Sequence, residues 1–147
     1  MGLAAFLRRH RRVALDTSVF IYAIEEHPKY AGFAYHALEW LEHPGHSAVT
    51  STLTMTEILT RPYADKSKRW VNEYYGLLSR YPNLEWIAPN LEIADLAAQF
   101  RARYRLRTPD ALQAATAVRS GVQGFISNDK VFRRVEGLET LLLDELL

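Results

Sequence analysis

Cysteine is absent from the 147-residue chain. That excludes disulfides, thiolate metal sites and cysteine nucleophiles together, and it accords with a cytoplasmic location. No apolar run approaches the roughly 20 residues a membrane-spanning helix needs, so a membrane function is not expected. The apolar stretch Met1–Leu7 is too short for a secretory signal, and Arg8, Arg9, Arg11 and Arg12 follow it where a signal would have them precede it. A myristoylation motif is missing too, since position 6 is Phe. Neither sign of charge prevails, with 18 Lys and Arg against 17 Asp and Glu, so composition alone does not announce a polyanion binder. There is no repeat and no low-complexity linker. With 48% hydrophobic residues, the expectation is one domain over residues 1–147, its first twelve residues forming a basic arm.

Short apolar runs alternate with helical periodicity along this length. Val13-Ala14-Leu15 predicts a strand that stops at Asp16, and Val19, Phe20, Ile21 and Ile24 suit a buried helix after it. Tyr30–Glu42 predicts a second helix, ended by the turn His43-Pro44-Gly45. Ala48–Ser51 predicts the next strand, leading into a helix that should stop before Pro62. Further helices are expected over Lys66–Leu78 and Leu91–Tyr104, on either side of a strand at Leu84–Ile87. Thr108-Pro109 reads as a helix start, with Thr as cap and Gly121 as stop. Gly124–Ser127, a short helix over Asp129–Arg134 and a last strand at Leu141–Leu143 complete the pattern. Such alternation implies an α/β fold with a parallel sheet covered on both faces, whose ligands bind beyond the carboxyl ends of the strands.

The carboxylates Asp16, Glu57, Asp110 and Asp129 stand at strand ends or in the early turns of helices. Hard divalent cations take oxygen ligands, so gathered acids of this kind point to a Mg²⁺ or Mn²⁺ site. A metal-assisted phosphodiester cleavage is the chemistry such a site performs. Each acid also has a humbler reading. Asp16 and Asp110 suit helix starts, Asp129 suits a turn, and a helical glutamate is usually solvent-facing. Basic clusters at Arg8–Arg12, Lys66–Arg69 and Arg101–Arg107 could neutralise a phosphate backbone or be solvated faces.

Four segments in order carry a family resemblance: Leu15-Asp16-Thr17-Ser18-Val19-Phe20-Ile21, Thr56-Glu57-Ile58-Leu59, Thr108-Pro109-Asp110-Ala111-Leu112-Gln113-Ala114-Ala115 and Ser127-Asn128-Asp129-Lys130. Together the chain resembles a PIN domain, and among those the VapC toxins of toxin–antitoxin pairs. The resemblance implies a three-layer α/β/α fold with a parallel sheet of about five strands. It also implies a Mg²⁺- or Mn²⁺-dependent endoribonuclease acting on RNA, neutralised by a VapB-like antitoxin and forming a homodimer. On the same ground Asp16, Glu57, Asp110 and Asp129 are the expected metal ligands and catalytic acids. Thr17, Ser127 and Asn128 are expected to hold those carboxylates by hydrogen bonds. The arm before the first strand departs from many relatives.

Other chemistries fit less well. No histidine pair is evident for metal-free RNA cleavage, and His43 and His46 lack further zinc ligands. An aspartyl-phosphate enzyme would want a second Asp where Ser18 stands. A structure-specific DNA nuclease would need an insertion this short chain lacks. A catalytically silent PIN-fold module binding RNA or protein is the remaining alternative.

Overall fold

In the computed structural model, which describes residues 1–147, the chain runs α1 (Leu3–Arg9), β1 (Arg12–Leu15), α2 (Thr17–Ile24), α3 (Ala31–Glu42), β2 (Ser47–Ser51), α4 (Thr52–Ala64), α5 (Lys68–Ser79) and β3 (Leu84–Ile87). It continues through α6 (Leu91–Tyr104), α7 (Thr108–Arg119), β4 (Gly124–Ser127), a 3₁₀ helix (Lys130–Arg134), β5 (Glu139–Leu142) and a closing 3₁₀ turn (Leu143–Leu146). The strands form one parallel sheet in the order β3-β2-β1-β4-β5. From β1 the chain builds outward to β3, then returns to the other side of β1 for β4 and β5. The strand order therefore reverses between β1 and β4, where Leu15 pairs with Ile126. Open sheets bind ligands beyond the carboxyl ends of strands at such a reversal.

The pleat sorts the core into two layers. Val13, Leu15, Ala48 and Ile126 face one cluster with Phe6, Phe20 and Leu41, while Ala14, Val49 and Phe125 face the other with Phe100, Phe132 and the alanines of α7. Ala111, Ala114, Ala115 and Ala117 are fully buried, and their small side chains let α7 lie close against the sheet. Each fully buried large side chain contributes about 1.5–3 kcal/mol relative to exposure. This is the three-layer α/β/α arrangement that the sequence predicted. No helix is long and apolar enough to cross a membrane.

Several boundaries differ from expectation. α4 runs through Pro62 to Ala64, because Pro62 lies in its final turn and is buried with Ile58 one turn earlier. Packing of that stripe outweighs the missing N–H. α5 starts at Lys68 and not Lys66, since Lys66 has a positive φ of 54° and Ser67 provides the cap by accepting from the Trp70 N–H. Arg107, not Thr108, is the N-cap of α7, so Thr108 and Pro109 are its first helical residues and the threonine hydroxyl makes no cap bond. β5 covers Glu139–Leu142, starting two residues and ending one residue earlier than expected, where it pairs with β4.

The largest difference is in residues 1–12. The basic arm contains a helix whose Leu3, Phe6 and Leu7 recur at helical spacing and are buried in the first core layer. Its arginines are the outward face of an amphipathic element. The His10 ring packs 4.7 Å from that of Phe6 and lies against Gly124, where a Cβ would stand 2.7 Å from His10 Cγ. Only glycine leaves room there.

Candidate active site

Asp16 follows β1 directly and caps α2, its Oδ1 accepting from the Thr17 N–H at 2.9 Å. Its other oxygen, Oδ2, accepts from Ser127 Oγ at 2.7 Å. Ser127 closes the neighbouring strand β4, and its oxygen in turn accepts from the Asp129 N–H at 3.0 Å. One fully buried serine hydroxyl thus holds the two strand-end aspartates in register. Asp129 caps the following 3₁₀ helix, Oδ1 accepting from the Val131 N–H at 3.0 Å. The capping role foreseen for Asp16 is present; Asp129, expected as a turn residue, caps as well, while Asp110 lies inside the first turn of α7 and is not its cap.

Glu57 comes from the middle of α4, where it accepts from Thr17 Oγ1 at 2.8 Å. It is exposed and lines an open cavity of about 470 Å³ together with Ile21, Ile24, Arg61 and Trp70. Asp110 lies in the first turn of α7, its side chain 16% exposed, with Arg107 Nε 3.5 Å from Oδ2.

Charge couples these groups. Burial, before anything else, pushes the Asp16 carboxyl up from its usual 3.8 to about 6; the hydrogen bonds from Ser127 and Thr17 oppose the rise, and the negative charges of Glu57 and Asp110 add to it. Burial also raises Asp110, with the Asp129 charge adding to the rise and Arg107 opposing it. Asp16 therefore stands in the field of Glu57 and Asp110, and Asp110 in that of Asp129.

Beneath them lies a buried polar network that the sequence reading did not foresee. Thr50 Oγ1 donates to the Leu15 carbonyl at 2.9 Å, so its contact with Thr54 Oγ1 at 2.8 Å must use the Thr54 proton. Thr17 has committed its own proton to Glu57, which leaves none for the 3.0 Å contact between the Thr17 and Thr54 oxygens. Gln113 resolves the shortage by donating from Nε2 to Thr54 at 2.8 Å and to Thr17 at 3.4 Å. All four side chains are buried. The signal in the sequence was Gln113 itself, a lone amide in the alanine stripe of α7, joined by Thr50 and Thr54 four residues apart.

Of the side chains expected to hold the carboxylates, Thr17 and Ser127 do so. Asn128 does not: its Nδ2 donates to the Tyr22 hydroxyl at 3.1 Å and its Oδ1 accepts from the Asp144 N–H at 2.8 Å. It fastens the loop after β4 to α2 and the chain terminus, because successive residues leaving a strand point in opposite directions.

The donor set is of the kind a hard divalent cation takes. Asp16 retains unshared lone pairs on both oxygens, and Ser18 Oγ, two residues on, is buried without a hydrogen-bond partner. As arranged, however, no three acidic or imidazole side chains form a group that could hold a metal ion. The oxygens fit in type, and Glu57, Asp110 and Asp129 would have to converge on Asp16.

Comparisons with known proteins agree with the architecture. A toxin–antitoxin complex from Klebsiella pneumoniae superposes with a TM-score of 0.67 at 23% identity, covering 87% of this chain and 96% of that one. VapBC-1 from nontypeable Haemophilus influenzae gives 0.69 at 19% identity, covering 90% and 98%. VapBC2 from Rickettsia felis, bound to a DNA fragment from its promoter, gives 0.66 at 21% identity, covering 89% and 98%. No curated protein sequence matches. The family model for the PIN domain matches residues 13–138, from the first residue after Arg12 to the residue before β5, and the chain belongs to the PIN domain family.

Proposed function

We propose that this chain is a VapC-type toxin, a divalent-metal-dependent endoribonuclease that hydrolyses RNA phosphodiester bonds in the cytoplasm and is held inactive by a VapB-like antitoxin. The observation that carries the reading is Asp16 at the strand-order reversal, pushed to about 6 by burial and by the charges of Glu57 and Asp110, with the Asp129 charge acting on Asp110 in turn. A PIN domain match supports the hydrolase class, and structural neighbours solved as toxin–antitoxin complexes support the antitoxin partner. Homodimerisation belongs to the same reading.

Asp16, Asp110 and Asp129 are the proposed metal ligands, with Glu57 completing the set directly or through water. A bound Mg²⁺ or Mn²⁺ would supply an activated water and offset charge on the phosphate. The protein's own share is orientation. Ser127 and the Thr17 N–H fix both oxygens of Asp16, and the Thr17 hydroxyl aims Glu57. Thr54 and Gln113 keep that hydroxyl in place from below. The ionised form of Asp16, which burial alone disfavours, would be offset by a bound cation.

One observation favours a second reading, a PIN-fold module that binds RNA or protein without cutting: no three acids are arranged as a ready metal group. The two readings separate in a cleavage assay on end-labelled structured RNA with Mg²⁺, Mn²⁺ or excess EDTA. Metal-dependent cutting by the wild type, lost in Asp16→Asn, is the expected result. A folded, antitoxin-free protein that cuts no RNA pool under any condition establishes the binding module instead.

A further inference from the structure

The sequence places arginines at four alternate positions, 101, 103, 105 and 107, and the structure gives them different work. Arg101 Nε donates to the Leu106 carbonyl at 3.2 Å and holds the α6–α7 connection closed. Arg103 pairs with Glu136 at 2.9 Å and lies 5.1 Å from the centre of the Tyr104 ring. Arg105 has no acidic partner. Arg107 is 82% exposed and touches only the rim of the site, through its 3.5 Å contact with Asp110.

Two further observations single out the last pair. Arg105 ends α6 in the left-handed region, φ 58° and ψ 41°, a conformation that favours glycine. Glu26, Lys66 and Asn83 share this positive φ, and what sets Arg105 apart is an exposed guanidinium with no acidic partner beside Arg107. Leu106, buried between them, anchors the connection and leaves Arg105 and Arg107 exposed on either side of it. Both line a shallow groove of about 860 Å³ floored by Ala94, Ala98 and Ala102 of α6. The groove reaches the first turn of α7 at Thr108, and Arg107, which lines it, contacts Asp110 in that same turn.

We propose that Arg105 and Arg107 form a phosphate clamp that leads a single-stranded segment of RNA along the α6–α7 groove to Asp110. This rests on the nuclease reading above and adds to it where the strand enters. An exposed arginine–carboxylate pair holds weakly, so Arg107 can exchange Asp110 for a phosphate oxygen, to which a guanidinium binds through two N–H groups. Clamping also explains why the two residues differ from the arginines of α1 and its connection to β1. Arg8 and Arg11 are also exposed and free of acidic partners, but they lie at the amino ends of the strands, away from the acids.

The test is fluorescence anisotropy of a labelled single-stranded RNA with the full chain in EDTA, over a series of KCl concentrations. Wild type is compared with Arg105→Gly/Arg107→Ala and with Arg8→Ala/Arg11→Ala. Glycine suits the backbone at 105 and Arg107 makes no side-chain cap bond, so the first variant is expected to melt no lower than wild type. Losing two phosphate contacts should lower the salt slope by about 1.4 and weaken binding about 25-fold at 0.1 M salt. The Arg8/Arg11 variant should bind as wild type does. An unchanged slope in the Arg105/Arg107 variant, with wild type still binding and cutting RNA, overturns the clamp and leaves the nuclease reading standing. Intact RNA binding together with lost binding of a poly-glutamate peptide also overturns it, and assigns the face to an acidic protein. Wild type that neither binds nor cuts RNA overturns both.

Discussion

At the amino ends of the strands the molecule is closed by hydrocarbon, with Leu3, Phe6 and Leu7 of α1 in the core and the His10 ring laid on Gly124. At the carboxyl ends it is closed by oxygen: Ser127, Thr17, Thr50 and Thr54 are all buried, the first two bonded to carboxylates, Thr54 in contact with Thr17, and Thr50 with Thr54. The first end is ordinary packing, favourable on its own terms. The second holds like charges together and disfavours the ionised form of Asp16. One end supplies stability; the other keeps an arrangement that stability must oppose. Functional sites commonly show this division, and here it follows the direction of the strands.

The comparison breaks most visibly at α1. Phe6→Ala should cost about 3–5 kcal/mol in urea unfolding, the range for emptying a buried aromatic site. Cleavage per folded molecule should be unchanged. A variant with wild-type stability and reduced cleavage would show that the amino end serves the site after all.

A smaller effect, of opposite sign, belongs to Asp16. Its carboxyl titrates higher in the folded chain than in the unfolded one, so the folded protein takes up the proton first. The contribution to stability is therefore greatest below about pH 4 and is lost as pH rises through about 6, up to about 3 kcal/mol in chelator-treated protein. Asp16→Asn should remove this slope, leaving a flatter stability profile between pH 4 and 7 in denaturant titrations. A slope that persists in the variant would assign the pH dependence to other groups.

Gln113→Leu sharpens the contrast at the smallest scale. Removing the amide leaves the Thr17–Thr54 contact without a proton, at a cost of about 1–3 kcal/mol. Because Thr17 would then turn its proton from Glu57 toward Thr54, cleavage per folded molecule should fall as well. Loss of stability with full activity would reduce Gln113 to a core residue.

Much of this molecule is readable without a structure. Val13–Leu15, Gly124–Ser127 and the alanine-rich α7 announce themselves because burial on a sheet or against it requires short apolar runs and small residues at a fixed period. Asp16, Glu57, Asp110 and Asp129 are legible as candidates because each sits in a local motif. Their placement around one reversal of strand order is a property of the sheet, and no local period encodes which strands are neighbours. The same limit hid Thr50, Thr54 and Gln113, whose hydrogen bonds cross from one segment to another. It made α1 look like a charged arm, since its arginines are conspicuous in the chain while the partners of Leu3, Phe6 and Leu7 lie far along it. It also left the arginines of Arg8–Arg12 and Arg101–Arg107 with the same reading, although the fold sends them to opposite ends. Sequence by itself determined the elements and the chemistry available to them, because those depend on neighbours in the chain. Tertiary structure alone decided which acids share a field, which hydroxyls hold them and which arginines stand beside them, because electrostatics and hydrogen bonds act through space.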